Sequence, residues 1–348
     1  MQVLPNGDAI AGALLMTDQL FEPFNMVVET TRANFDERAY LASNPDVANI
    51  VSEGGFESGW QHFCLHGERE GRKYTLDEKL LGERRRRKLE RIRPFLRSDM
   101  PMTEDDGRLN FLTEALRKET RIVDTSNVSS NSYDMAVREM IKRHEGGLVL
   151  DCGAGRRDVY YPNVYNLEIV AYDTTDIISV GESLPFEDNT FSAILSIAVL
   201  EHVRDPFVCA REIARVLRPG GELFCAVPFL QPLHGYPHHY YNATHQGIRR
   251  LFEDYLDIKQ VYVPYVGHPA FALHWFLSSW SAGLSADIKE HFLDQTIGSL
   301  LGKGPSGIAA ETYGELPSIV QRELASAFVL TAEKAIRKPG LTRGDEWI

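Results

Sequence analysis

Residues 148–155 read Leu148-Val149-Leu150-Asp151-Cys152-Gly153-Ala154-Gly155. The apolar run Leu148-Val149-Leu150 predicts a buried strand. It ends on Asp151 and turns through Gly153 and Gly155. Glycines at this spacing let the backbone turn sharply and approach a ligand with no Cβ in the way. A dinucleotide fingerprint would place a third glycine at position 158 and a pyrophosphate at the helix start. Position 158 is instead Asp158, which repels phosphate. A free carboxylate at Asp151 suits an ammonium group. The stretch therefore favours a cationic, phosphate-free nucleoside ligand.

Further signals follow in order. Leu184-Pro185-Phe186 precede a turn at Asp188-Asn189, and Phe191 to Ile197 is an apolar strand. Asp205 and Pro206 are an N-cap and a proline at the first helical position. Cys209, Ile213, Val216 and Leu217 then share one helical face. Pro219-Gly220-Gly221 stops that helix, and Glu222 to Val227 reads as the next strand. Residues 131–260 resemble a class I S-adenosylmethionine-dependent methyltransferase of the type 11 group. The carrying motifs are Leu150 to Gly155, Leu184 to Phe191, Val199-Leu200-Glu201-His202-Val203 and Arg215 to Gly221. The resemblance implies an α/β fold with a doubly wound, Rossmann-like, seven-stranded sheet, mostly parallel with one antiparallel strand. It implies S-adenosylmethionine as cofactor, which is itself a cationic, phosphate-free nucleoside.

At 348 residues the chain can hold one large domain and a small one. A net charge of −12 argues against nucleic acid as a partner. The local exception is Arg84-Arg85-Arg86-Arg87-Lys88, followed by Arg91, Arg93 and Arg97. It reads as a solvated helix face, or as a contact for anionic lipid or an acidic glycan. The four cysteines are dispersed, which indicates neither a disulfide framework nor a zinc site. A reduced, cytoplasmic setting is expected. Ile10 to Met16 is too short to span a bilayer and lacks the basic flank of a signal peptide.

Four regions are expected. Residues 1–33 are an N-terminal segment without clear signals. Residues 34–74 are a small helical module, with Leu41, Val47, Val51, Trp60 and Phe63 on one side of two short helices. The module is similar to one appended to bacterial glycosyltransferases, which implies a bacterial setting and a packing or docking role such as a glycosyltransferase contact, whereas a peripheral membrane contact would use the basic run at 84–97 and the aromatic segment at 271–280. Residues 75–130 read as a charged helical linker. Residues 131–340 are the methyltransferase domain, in which Tyr133 either closes over the cofactor or fills the core. Ile258 to Tyr265 alternates as a strand, and Ala327 to Ala332 reads as the last one. Between these two, a helical insertion at about 269–322 is expected to act as a lid.

The resemblance assigns the methionine end of the cofactor to Asp151, Cys152, Gly153 and Gly155. A carboxylate ending the second strand should take the two ribose hydroxyls. Glu168 is favoured over Asp173 because Ile177 to Val180 must follow as the third strand. The related pattern has aspartate where Val180 stands, so Gly181 and Glu182 are the candidates at the adenine. Ser196 and Ile197, ending the fourth strand, should border the transferred methyl. The loop His234-Gly235-Tyr236-Pro237-His238-His239-Tyr240-Tyr241 faces the substrate side. His234 or His238 is the candidate base for methyl transfer to oxygen, whereas His202 reads as structural. No metal is expected, because no carboxylate accompanies these histidines at ligand spacing.

The expected activity is O-methylation of a carbohydrate or other small polar acceptor in surface-glycan metabolism. Two other readings stand beside it. One is a lipid or quinone-like acceptor. The other is a non-catalytic S-adenosylmethionine-binding scaffold of a glycan-assembly complex.

Overall fold

The computed structural model describes residues 23–75, 78–122, 125, 132–235, 237–303 and 316–324. The chain divides into two compact units, residues 1–230 with 234–264, and residues 231–233 with 265–348. The first unit is built on a seven-stranded sheet. Its strands are β1 (Thr103–Asp105), β2 (Arg108–Asn110), β3 (Val149–Cys152), β4 (Val164–Glu168), β5 (Ile177–Ile178), β6 (Phe191–Ile197) and β7 (Leu217–Ala226). They lie in the order β7-β6-β3-β4-β5-β2-β1. All neighbours are parallel except β1 and β2, which form an antiparallel pair at one edge.

Helices cover both faces. On one side α2 (Met135–Arg143) sets Val137, Met140 and Ile141 against Val149, Val164, Ala193 and Leu195. On the other, Ile213 and Val216 of α3 (Pro206–Val216) join Leu150, Tyr165, Phe191 and Ile194. Burial on both faces explains why β6 is an almost unbroken apolar run rather than an alternating one. Asp205 caps α3 by accepting from Phe207 and Val208 N–H, with Pro206 at its first position, as expected.

The sheet thus has seven strands, mostly parallel with one antiparallel, but two of them have an unexpected source. β1 and β2 come from the stretch expected to be a linker. That stretch also carries α1 (Glu78–Ile92), whose Leu89 and Ile92 pack in the same core as the sheet. Its basic run is only partly a solvated face. Helical spacing turns Leu81, Arg84, Arg85, Lys88, Leu89 and Ile92 inward and leaves Arg86, Arg87 and Arg91 exposed. Residues 258–264 form no strand, and Tyr262 and Val263 are exposed. No strand among the described residues pairs with them. The expected last strand at 327–332 lies outside the described residues. No helix among the described residues is long and apolar enough to cross a membrane.

Upstream, residues 34–74 enclose their own core of Tyr40, Val47 and Phe63, with Leu41 and Val51 half-buried and Trp60 more exposed. The strand Val27–Glu29 pairs antiparallel with Lys73–Thr75 and ties the two ends of this region together. The second unit contains the helices Pro269–Ala282, Ala286–Leu293 and Ser318–Glu323. Glu323 accepts there from Ser279 Oγ at 2.7 Å and Trp275 Nε1 at 3.3 Å.

Candidate active site

Chain order reverses around β3, which lies between β4 and β6, and ligands of open α/β sheets bind beyond the strand ends at such a point. A cleft with about 890 Å³ of empty space opens there. Its floor is the loop after β3. Gly153 and Gly155 have φ of +81° and +60°, the left-handed region that favours glycine. A Cβ on Gly153 would stand 2.5 Å from Val199 Cγ2, so the loop admits no side chain there.

Glu168 ends β4 and closes this loop. Its Oε2 accepts from Gly155 N–H at 2.7 Å and its Oε1 from Ile169 N–H at 2.7 Å. Burial raises its pKa above the usual carboxylate range, while those backbone donors oppose the shift. Asp173, the competing candidate, instead pairs with Arg156 at 2.9 Å and does not line the cleft.

Cys152, Gly153, Gly155, Glu168, Gly181, Glu182 and Ile197 all line the cleft. Gly181 sits where a Cβ would come within 2.4 Å of Cys209 Sγ on α3. Glu182 accepts from Arg204 N–H at 3.0 Å, and burial raises its carboxyl pKa.

Two expected cofactor residues do not line it. Ser196 is fully buried within β6. Asp151 is also fully buried and already neutralised. Arg157 reaches its Oδ2 with Nη2 at 2.7 Å and Nε at 2.8 Å, and the Tyr133 hydroxyl donates to the same oxygen. The cation facing Asp151 is therefore the chain's own guanidinium, stacked 4.3 Å over the Tyr133 ring. Tyr133 is a core residue, and a sequence pattern could not show that Arg157 folds back on Asp151.

The two candidate bases stand outside this lining. Neither His234 nor His238 lines the cleft, whereas His202 does. His238 donates from Nε2 to the Arg121 carbonyl at 2.8 Å, which holds its ring. His202 donates from Nδ1 to the His238 carbonyl at 2.7 Å, leaving Nε2 as its acceptor nitrogen. Burial pushes the His202 pKa below the usual histidine range. Gly235 makes this docking possible, because a Cβ there would lie 2.1 Å from His202 Cε1. The rings of His202, His234 and His239 cluster at centroid distances of 5.4, 5.7 and 4.3 Å.

The sequence pattern missed three contributors. Thr120 and Ile122 line the cleft from the stretch expected to be a linker. The one local sign was Thr113, which caps the helix Glu114–Thr120. Glu201 is fully buried, and neither of its carboxyl oxygens has a hydrogen-bond partner among the described residues. Burial pushes its pKa up to about 7.

Residues 152–225 match the family described as a methyltransferase domain. A curated relative, cycloartenol-C-24-methyltransferase 1 of Oryza sativa subsp. japonica, is 41% identical over 70 residues, 20% of this chain. The chain spans about a fifth of that relative, 19% of its length. Among solved structures, the YcgJ protein of Bacillus is 18% identical with a TM-score of 0.29, covering 48% of this chain and 87% of its own. Phosphoethanolamine N-methyltransferase 2 of Haemonchus contortus, solved with S-adenosyl-L-methionine, is 16% identical with a TM-score of 0.28. It covers 51% of this chain and 46% of its own. The stretch from Cys152 to Cys225, which carries the glycine loop and β4 to β6, is thus the part of the chain that matches a methyltransferase domain.

Proposed function

We propose that the chain transfers a methyl group from S-adenosylmethionine to a hydroxyl of a carbohydrate or another small polar acceptor. The observation that carries this reading is the seating of Glu168. A carboxylate at the end of β4 is clamped to the glycine loop and lines a cleft at the switch point of the sheet.

The cleft residues fit the cofactor. The space left by the absent Cβ of Gly153 lets the backbone approach a ligand closely. Glu168 keeps lone pairs that can accept from a vicinal diol. Ile169 and Val180 offer apolar wall to a flat base, with Glu182 beside them. Asp151 supports the loop through Arg157 and takes no direct part. When bound, the cofactor would supply a sulfonium methyl to an acceptor in this cleft, whose wall includes Ile197 and His202.

For the chain itself the work is alignment and exclusion of water. Holding acceptor and donor in a reactive geometry removes much of the entropic barrier of a bimolecular step. His202 lines the cleft and keeps Nε2 as its acceptor nitrogen, so it is the side chain best placed to take a proton from an acceptor hydroxyl. His234 lies against it and can relay or orient.

The inward turn of the basic run favours a polar acceptor over a membrane-borne one. Arg84, Arg85 and Lys88 are buried, which removes three charges from any lipid-facing patch. The test is calorimetry with S-adenosylhomocysteine, followed by transfer of labelled methyl to a panel of sugar and lipid hydroxyls. Tight binding with transfer to sugars supports the proposal. Binding without transfer to any acceptor would favour the scaffold reading.

A further inference from the structure

We propose that Glu201, His202 and His234 form a binding site for one divalent first-row transition-metal ion in the wall of the cleft. Each residue offers one ligand atom, and the three atoms lie within 4.8 Å of one another. Two imidazoles and a carboxylate are a donor set suited to Zn²⁺ and its neighbours, with a coordination position left open. Tetrahedral ligand atoms at about 2.0–2.1 Å from a zinc ion stand about 3.4 Å apart. Glu201 Oε1 and His202 Nε2 are already 3.7 Å apart.

Two independent observations point to a ligand here. The first is Glu201. Its side chain is 0% exposed, and both carboxyl oxygens are unpartnered among the described residues. A buried carboxyl without partners is costly, and a cation between it and the imidazoles would satisfy it. The second is the setting of His202. Its Nδ1–H donates to the His238 carbonyl at 2.7 Å, which fixes the ring and leaves Nε2 for coordination. Histidine ligands commonly show this outer contact. His239 is excluded from the set. Its Nδ1 accepts from His234 N–H at 3.0 Å, so its Nε2 donates to Asn242 Oδ1 at 2.9 Å. It serves to seat His234.

Glu201 and His202 are adjacent in sequence and His234 lies in a different loop, so no ligand spacing shows along the chain. The fold joins them by docking the loop onto the residues after β6. The Glu201 carbonyl accepts there from Tyr240 N–H at 2.7 Å.

Because His202 lines the cleft, an ion at this site meets the acceptor side of it. Its role, which rests on the methyl-transfer reading, is to coordinate and acidify the acceptor hydroxyl. With its Nε2 on the ion, His202 is a ligand and no longer the base, so the hydroxyl proton passes to solvent. The oxygen lone pair then forms the bond to the methyl carbon as the carbon–sulfur bond breaks.

The test is titration of the full, metal-stripped chain with Co²⁺, read by its visible d–d absorption, and with Zn²⁺ in competition. The expected result is one Co²⁺ per chain, displaced by Zn²⁺, with the band abolished in both Glu201→Gln and His234→Ala. Each variant is checked for folding by thermal melting. His234→Ala, which alters no residue of the cleft lining, serves should Glu201→Gln fail to fold. A folded wild-type chain that takes up no metal overturns the proposal. So does an adventitious ion only, recognised by uptake that persists in both variants. S-adenosylhomocysteine affinity is measured on the same samples. Its loss in the wild type would count against the methyltransferase reading, while metal uptake answers separately for the metal site.

Discussion

The ammonium of Lys88 sits 2.6 Å from Oδ2 of Asp176, and both side chains are closed to solvent. Lys88 Nζ also lies 3.6 Å from the centre of the Tyr160 ring, whose hydroxyl donates to Asp176. Asn166 N–H donates to Asp176 at 2.8 Å. This network pins the basic helix α1 to the loop between β4 and β5.

Removing one partner of a buried pair leaves the other charge uncompensated. Asp176→Asn is therefore expected to destabilise the chain by about 3–5 kcal/mol. Replacing Lys88 by Met in the same chain should recover much of that loss. Urea unfolding of the three proteins measures it, and a loss under about 1 kcal/mol in the single variant contradicts the pairing.

Burial lowers the Lys88 pKa from 10.5 to about 8, against the pull of Asp176. The unfolded chain keeps this proton up to about pH 10.5, and the folded chain gives it up near 8. Between those values the unfolded state binds more protons, so this group makes stability rise with pH. Below about pH 8 both states are protonated and its contribution is constant. Unfolding midpoints across that window should show a steeper rise for the wild type than for Lys88→Met. Parallel slopes would rule the shift out.

Glu168→Ala should weaken S-adenosylhomocysteine binding by about 1.5–3 kcal/mol, the range for hydrogen bonds to a charged group. That corresponds to about 10- to 150-fold in affinity. Asp173→Ala should change it little, since Asp173 faces Arg156 at the surface. Calorimetry on both variants decides between them, and the reverse order would move the ribose contact to Asp173.

Gly153→Ala should cost about 1–3 kcal/mol and weaken cofactor binding, because the new Cβ meets Val199 and φ is +81°. Gly146→Ala is the matched control, with open space around its Cβ and no positive φ. Its effect should stay within about 0.5 kcal/mol. Thermal melts of the two variants give the comparison, and equal effects would refute the close approach.

The sequence by itself determined the spine of this protein. The apolar run before Asp151, the glycines after it, the strand at Phe191 to Ile197 and the Asp205-Pro206 helix start are all in place. These features rest on local chemistry, such as strand burial, positive φ and capping, which needs no distant partner. Glu168 was legible for the same reason, since the position of one strand end follows from where the next strand must begin. Contacts between distant segments were not legible. That β1 and β2 extend the sheet depends on pairing between Leu109 and Ile177, which no periodicity encodes. That the arginine run turns inward depends on a buried acid, Asp176, far along the chain. Arg157 takes the place opposite Asp151 because the loop folds back on itself. Glu201, His202 and His234 meet only because Gly235 leaves room for an imidazole. Local propensity sets the elements. Which charges neutralise one another, and which histidine lines the cleft, is set by long-range packing, where desolvation makes a buried charge costly unless a partner from a distant segment meets it.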